Sequence, residues 1–148
     1  MKTIIIILII AAFLQTTILP LDLVLIILIC RAYVRAEKQN LYLAFFIGLA
    51  QSHLKLTPIG IQSILYLLFV QVTQMLSKSR LAGNSFIIIP LSFTFLATFE
   101  VINSQVIHQN LQIFPKVLIE SILALPTLYI LKLWEERFIV PKDIKLKI

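Results

Sequence analysis

Two apolar runs in residues 3–31, TIIIILIIAAFLQTTILPLDLVLIILICR, decide the fold, and Pro20 and Asp22 separate them. Such runs cannot form the half-polar helices of a water-soluble domain. A helix that crosses a bilayer needs about 20 mostly apolar residues. Proline favours a break between the two runs because it has no N–H and does not continue a helix. The stretch therefore predicts two antiparallel apolar helices joined by a tight turn at Pro20.

The whole chain follows the same pattern. Of its 148 residues, 59% are hydrophobic and 14% are charged, whereas a soluble domain carries about 25% charged residues. The sequence therefore predicts an all-α integral membrane protein with one transmembrane domain over residues 1–148. Thr57 and Pro58 suit the first turn of the fourth helix, as N-cap and first helical residue. The six predicted spans are 3–19, 20–36, 39–55, 57–76, 84–107 and 113–134, followed by a cytoplasmic tail at 135–148.

A cleavable signal peptide is the alternative for the first segment, because Lys2 precedes an apolar core. A signal peptide ends in a small-x-small cleavage site. Here the core continues into Gln15, two threonines and Pro20 instead. The missing site favours an uncleaved first span.

The basic residues predict the orientation of the spans. Cytoplasmic loops retain Lys and Arg. With six spans, eleven of the 13 basic residues fall on one side, at Lys2, 31–38, 78–80 and 132–147. The other side receives only Lys55 and Lys116. This distribution predicts that both termini are cytoplasmic, whereas five spans would put the five basic residues of the C-terminal region outside.

Polar residues inside the predicted spans are the candidates for a site, because they are costly in lipid and usually face the bundle interior. Glu100 and Glu120 lie well inside the fifth and sixth spans, and Asn103 shares a helix face with Glu100. They suit either a proton or substrate site or contacts between helices. The Lys and Arg residues of the fifth and sixth predicted spans, Lys116 and Lys132, lie near the ends of the sixth and not inside the membrane, so we expect no ion pair and favour contacts. The candidate packing or partner-contact residues are Gln15, Asp22, Gly48, Gln51, Glu100, Asn103 and Glu120, and the fourth span adds Gln62, Gln71 and Gln74.

The motif content argues against several function classes. One cysteine and two histidines 55 positions apart give no metal motif. The sequence contains no phosphate-binding, dinucleotide or hydrolase motif. A net charge of +6 indicates nucleic-acid binding only when it forms a basic surface on a soluble body. We therefore expect neither an enzyme nor a cofactor, and no nucleic-acid partner.

Four ordered segments resemble the MreD family of membrane proteins. The family has a Leu-Gln pair in its first span, a Pro-Asp-Leu start to its second, a Gly-Leu pair in its third and a Pro-Leu-Gly segment before its fourth. The matching segments are Leu14-Gln15, Pro20-Leu21-Asp22-Leu23, Gly48-Leu49 and Pro58-Ile59-Gly60 continuing to Leu65-Tyr66. The chain departs from the pattern at Ser52, where the family has an acid, and at Glu120, where it commonly has an amide-type residue. It also departs at Leu21, which separates Pro20 from Asp22 where the family has Pro-Asp.

This resemblance implies a multi-pass protein of the bacterial cytoplasmic (inner) membrane. Its architecture would be similar to the substrate-binding subunits (S-components) of energy-coupling-factor transporters. It would act as a scaffold for rod shape and lateral peptidoglycan synthesis. Its partner would be an MreC-like membrane protein, and it would act indirectly with MreB and the elongation synthase and transpeptidase. The faces that carry Gln15, Asp22, Gly48 and Gln51 would be its contact surfaces.

Two other functions stay open. The first is a substrate-binding subunit of a vitamin transporter, which commonly has small residues spaced by four on its first helix. Here only Ala12 and Thr16 fit that spacing, and the predicted outer loops are short. The second is a small membrane protein of unrelated function.

Overall fold

The computed structural model describes residues 2–18, 21–79, 84–107 and 113–138, and these residues form an all-helical structure. A short 3-10 turn, Ser85–Ile87, comes before the fifth of six helices. Residues 135–138, the first four of the predicted tail, form the last turn of the sixth helix. The rest of the tail, residues 139–148, lies outside the described part. The helices are α1 (Lys2–Thr17), α2 (Leu23–Val34), α3 (Lys38–Leu54), α4 (Ile61–Ser77), α5 (Ile88–Ile107) and α6 (Ile113–Phe138).

The start of α4 differs from the prediction. Thr57 is not its N-cap, because the Thr57 N–H donates to the Ser52 carbonyl at 3.1 Å and so closes the end of α3. The N-cap is Gly60, whose φ of 102° lies in the left-handed region that favours glycine. Pro58 therefore belongs to the connection between α3 and α4. The helix begins three residues later than the Thr57-Pro58 pair predicts.

Within the described residues, two stretches are long and apolar enough to cross a membrane, Ser85–Val106 and Pro115–Arg137. Helices α1, α2 and α4 are apolar but shorter. The outer surface is also apolar, and on α1 Ile6, Ile10 and Phe13 are each more than half exposed. Large contiguous apolar surfaces are rare on soluble monomers.

Helix α2 lies at the centre of the bundle. It contacts α6 and α4 most extensively, and it also touches α1, α3 and α5. Nine of its 12 residues are buried, and Leu25, Leu28 and Ile29 are fully so. A helix that is apolar on all sides belongs inside a protein or a membrane. The neighbouring helices shield α2, so it does not depend on lipid for burial.

Aromatic pairs and one glycine set the position of α4 in the bundle. The rings of Phe69 on α4 and Phe95 on α5 stack with centroids 4.9 Å apart. On the α3 side, a Cβ added to Gly48 would lie 2.5 Å from the Ser63 Cα. Small residues allow helix backbones to approach closely where apolar burial gives little drive. Gly48 therefore fixes the α3–α4 distance.

We predict that Gly48→Ala destabilises the protein by about 1–3 kcal/mol, because the new methyl group forces α3 and α4 apart. The measurement is the thermal unfolding midpoint of the protein purified in mild detergent. Ala50→Leu is the matched control, since Ala50 is exposed on the same helix, and it should change stability by less than about 0.5 kcal/mol. An unchanged midpoint for Gly48→Ala would show that this close approach is not required.

Candidate functional site

Asp22, just before α2, is the centre of a buried polar cluster. Its side chain is 4% exposed. One oxygen, Oδ1, accepts hydrogen bonds from Gln15 Nε2 at 2.8 Å and from Lys55 Nζ at 3.0 Å. The other, Oδ2, lies 3.4 Å from Lys116 Nζ. One carboxylate thus binds side chains of α1, of α6 and of the residue that follows α3.

The start of α2 is capped by its neighbours. The first N–H groups of a helix have no partner within the helix. Asp22 occupies the N-cap position without making a side-chain cap bond. Instead, Glu120 Oε1 accepts the Asp22 N–H at 2.7 Å and Gln15 Oε1 accepts the Val24 N–H at 3.2 Å. The Asp22 carboxylate is therefore available to the two lysines.

The expectation of no ion pair beside the acids is wrong. Lys116 Nζ lies 3.2 Å from Glu100 Oε2 as well as near Asp22. Lys55 and Lys116 stand at predicted span ends, but their side chains are long enough to reach inward and are only 25% exposed. Buried charges are stable when they are paired, and this cluster pairs both lysines.

A cavity of about 330 Å³ lies beside the cluster. Of its eleven lining residues only Leu54 is apolar, and none is aromatic. Gln62 of α4 lines it, is 1% exposed, and neither atom of its amide has a hydrogen-bond partner among the described residues. The charged and amide residues that line the cavity are Gln15, Asp22, Lys55, Gln62, Glu100 and Lys116, together with Asn103.

The structure brings most of the predicted site residues together. Gln15, Asp22, Glu100 and Glu120 belong to one network, and Asn103 lines the same cavity.

Gly48 and Gln51 lie apart from this network as the structure describes it. Gly48 packs against α4. Gln51 is fully buried, and its amide bonds to no described residue.

The prediction missed Lys55 and Lys116 as parts of the site, and it gave Gln62 no more weight than the other glutamines of the fourth span. The signal for the two lysines was in the charge pattern, because they are the two basic residues assigned to the side that is otherwise poor in them. Both bind the same carboxylate. The pattern did not separate Gln62 from the other glutamines of α4, because only packing distinguishes a buried amide from an exposed one.

A second polar group joins helices at the opposite end. Arg31 Nε donates to Asn40 Oδ1 at 2.7 Å, and Asn40 Nδ2 donates to the Arg35 carbonyl at 2.6 Å. Gln74 Nε2 of α4 donates to the Glu37 carbonyl at 2.7 Å. These bonds satisfy the backbone of the α2–α3 connection. This end therefore has a structural role in the positions of α2, α3 and α4.

The described part of the chain contains no group of three or more His, Cys, Asp or Glu residues arranged to hold a metal ion. Comparisons of the chain with known protein families, with curated proteins and with solved structures found no match. The site offers a buried cluster of paired charges and a polar cavity with one unbonded amide.

We predict that Asp22→Asn destabilises the protein by roughly 2–3 kcal/mol, somewhat less than the 3–5 kcal/mol for a fully buried ion pair, because both lysines keep some contact with solvent. The asparagine has nearly the same size and still accepts the Gln15 hydrogen bond, so the loss reports the charge. Unfolding in mild detergent measures it. The exposed carboxylate of Glu136 on α6 supplies the control, Glu136→Gln, which should have little effect. Equal stability of the two variants would contradict the central role of Asp22.

Proposed function

We propose that this chain is a multi-pass protein of the bacterial cytoplasmic membrane, with six spans and both termini in the cytoplasm. The two long apolar helices and the exposed apolar side chains of α1 support this proposal. Helix α2 has 12 residues and is about 18 Å long at 1.5 Å per residue, shorter than the hydrocarbon core. Irregular backbone is tolerated at membrane depth where protein surrounds it, and α2 is surrounded on all sides.

The Asp22 cluster supports the alternating topology. In the six-span arrangement, the α1–α2, α3–α4 and α5–α6 connections lie on the same side of the membrane. Asp22 follows the first connection, Lys55 starts the second, and Lys116 lies in the first turn of α6 after the third. All three meet through one carboxylate. We assign this end of the bundle to the outer face of the membrane.

We further propose that the chain is a non-enzymatic scaffold of the cell-elongation machinery that resembles MreD. It binds an MreC-like partner and supports cell shape and lateral peptidoglycan synthesis. MreB and the elongation synthase and transpeptidase act with it through that partner. One observation supports this proposal most directly. The residues that match the MreD pattern have specific structural roles in this fold.

Those residues have specific roles in the fold. Gln15 and Asp22 bind each other, Gly48 permits the α3–α4 contact, and Gly60 supplies the positive φ before α4. A resemblance produced by apolar composition alone would not depend on polar residues and glycines. Their use here supports a shared architecture.

The partner is expected to bind outward-facing side chains and not the predicted contact residues. Gln15, Asp22, Gly48 and Gln51 are buried within the chain, which supports helix packing as their role. Helix α1 contacts α2 more than it contacts α3. Its other apolar side chains are exposed on the outer surface of the bundle. Helix association in lipid relies on close packing and a few polar contacts. We therefore propose α1 as the helix that meets the partner's span.

We predict that the chain co-purifies in mild detergent with the MreC-like protein encoded in the same genome, and that its depletion turns rod-shaped cells round. Ile10→Trp should reduce recovery of the partner at least about fivefold, because a bulky ring on α1 prevents close helix packing. The control is Ile130→Trp, since Ile130 is similarly exposed on α6.

Three results would contradict this account. Failure of the native chain to recover the partner, with rod shape kept after depletion, removes the scaffold proposal. Loss of recovery in the α6 control but not in Ile10→Trp moves the interface away from α1. Equal recovery with both variants likewise excludes an α1 interface.

The second candidate is a substrate-binding subunit of an energy-coupling-factor vitamin transporter. The polar cavity favours it, because a ligand-binding subunit needs such a space. The absence of aromatic rings from the cavity lining disfavours a vitamin. Tight vitamin binding together with co-purification of a transporter ATPase would make this candidate the better one.

A further inference from the structure

A groove lies on the surface of the bundle between α3 and α4. It has a volume of about 430 Å³ and is lined by Lys38, Leu41, Tyr42 and Phe45 of α3 and by Leu67 of α4. The α3 residues are spaced i, i+3, i+4 and i+7, so they share one face of the helix. Lys38 supplies the one charge of this lining, and it is the first residue of α3. The groove is therefore apolar along its length and basic at the end away from Asp22.

The face of α4 that meets this groove continues to the same end. Gln74 and Lys78 lie seven and eleven residues after Leu67, and both intervals return to nearly the same side of a helix with 3.6 residues per turn. Gln74 Nε2 donates to the Glu37 carbonyl at 2.7 Å, next to Lys38, and so holds this side of α4 against the start of α3. Lys78 follows the last turn of α4 and is exposed. Two ammonium groups, of Lys38 and Lys78, thus belong to one end of the groove.

The surrounding charges leave these two lysines available. Arg35 pairs with Glu37 at 2.5 Å. Neither Lys38 nor Lys78 forms an ion pair with a described residue. Basic pockets between helices on the cytoplasmic side of a membrane bind anionic lipid headgroups. Two free cations beside an apolar groove suit a ligand with an anionic head and a hydrocarbon chain.

We propose that the groove binds one anionic glycerophospholipid of the cytoplasmic leaflet. Its phosphate lies between Lys38 and Lys78, and one acyl chain follows Leu41, Phe45 and Leu67. This inference rests on the membrane orientation proposed above, which puts the basic end of the groove in the cytoplasm. A zwitterionic lipid has the same phosphate, but its own cation competes with the lysines for that group. The anionic class is therefore preferred.

The dimensions of the groove fit this assignment. From Lys38 to Phe45 the helix rises about 10 Å at 1.5 Å per residue, which lies within the roughly 15 Å that one leaflet contributes to the hydrocarbon core. Tyr42 is about 6 Å along this path, and its side chain is 68% exposed. Tyrosine is enriched where headgroups meet acyl chains. The phenol of Tyr42 can therefore meet the glycerol ester region of the lipid.

The test is a lipid titration of the full chain in mild detergent, followed by native mass spectrometry. Dioleoyl phosphatidylglycerol and dioleoyl phosphatidylcholine are the two probes, because they have the same acyl chains and differ in net charge. Phosphatidylglycerol should bind at least about fivefold more tightly, the factor expected for one lysine beside an anionic headgroup.

Lys38→Gln separates the groove from the general positive charge of this end. The variant should fold as the native chain does, because Lys38 is exposed, and it should bind phosphatidylglycerol about fivefold more weakly. Lys132→Gln is the matched control, since Lys132 is exposed on α6 and does not line the groove. This control should bind both lipids as the native chain does.

Leu67→Trp tests the apolar part of the groove. The larger ring fills the space beside Phe45, so the variant should bind both lipids at least about fivefold more weakly. Its unfolding midpoint shows whether the bundle is intact. Lys38→Gln decides the proposal if this variant does not fold.

Three outcomes would overturn the proposal. Equal affinity of the native chain for the two lipids removes the anionic class. Equal loss of affinity in Lys38→Gln and Lys132→Gln assigns the attraction to the whole basic end. A folded Leu67→Trp variant that keeps full lipid affinity places the acyl chain elsewhere, and loss of the MreC-like partner from that variant would assign the groove to the partner's span. Partner recovery by the native chain is measured separately, so a failure of lipid selectivity leaves the scaffold proposal standing.

Discussion

The pairing of the buried Asp22 carboxylate with two lysines is the interaction on which the arrangement of the helices depends. A carboxylate away from water is unstable unless it is paired and hydrogen-bonded. Asp22 obtains its partners from Gln15, Lys55 and Lys116, which come from three different parts of the chain. Satisfying this one group therefore requires that α1, the end of α3 and the start of α6 gather around the start of α2.

That requirement explains why so short a helix can be central. The Asp22 side chain does not cap α2. The side chains of Gln15 and Glu120 accept hydrogen bonds from N–H groups at the start of the helix instead. Its apolar residues are then enclosed by α4 and α6, and a separate group of polar contacts fixes its other end. Apolar packing supplies the body of the bundle, and the polar clusters determine which helix ends meet. In a membrane, where apolar burial between helices gives little drive, such contacts carry much of the specificity.

The order of the six helices could be predicted from the sequence because long apolar runs and prolines act locally. The start of α4 could not, because the Thr57 bond to Ser52 and the left-handed Gly60 depend on how the connection folds. Gln15, Asp22 and Glu120 stood out as polar residues within apolar segments. Lys55 and Lys116 were predicted at span ends on the outer side and not as parts of the site, since sequence position does not show how far a long side chain reaches. Their shared carboxylate is a property of the packed structure.

We propose that the Asp22 cluster marks the outer end of a membrane-spanning bundle. Cysteine labelling in intact cells tests it directly, using a Cys30→Ala background because Cys30 is the one cysteine in the chain. Ile59→Cys and Gln105→Cys lie near the cluster, and Lys78→Cys and Glu136→Cys lie near the other end; all four positions are exposed. With the cluster at the outer face, a membrane-impermeant maleimide labels the first pair in intact cells and the second pair only after permeabilisation. Labelling of Lys78→Cys or Glu136→Cys in intact cells, or equal labelling of all four, would contradict it.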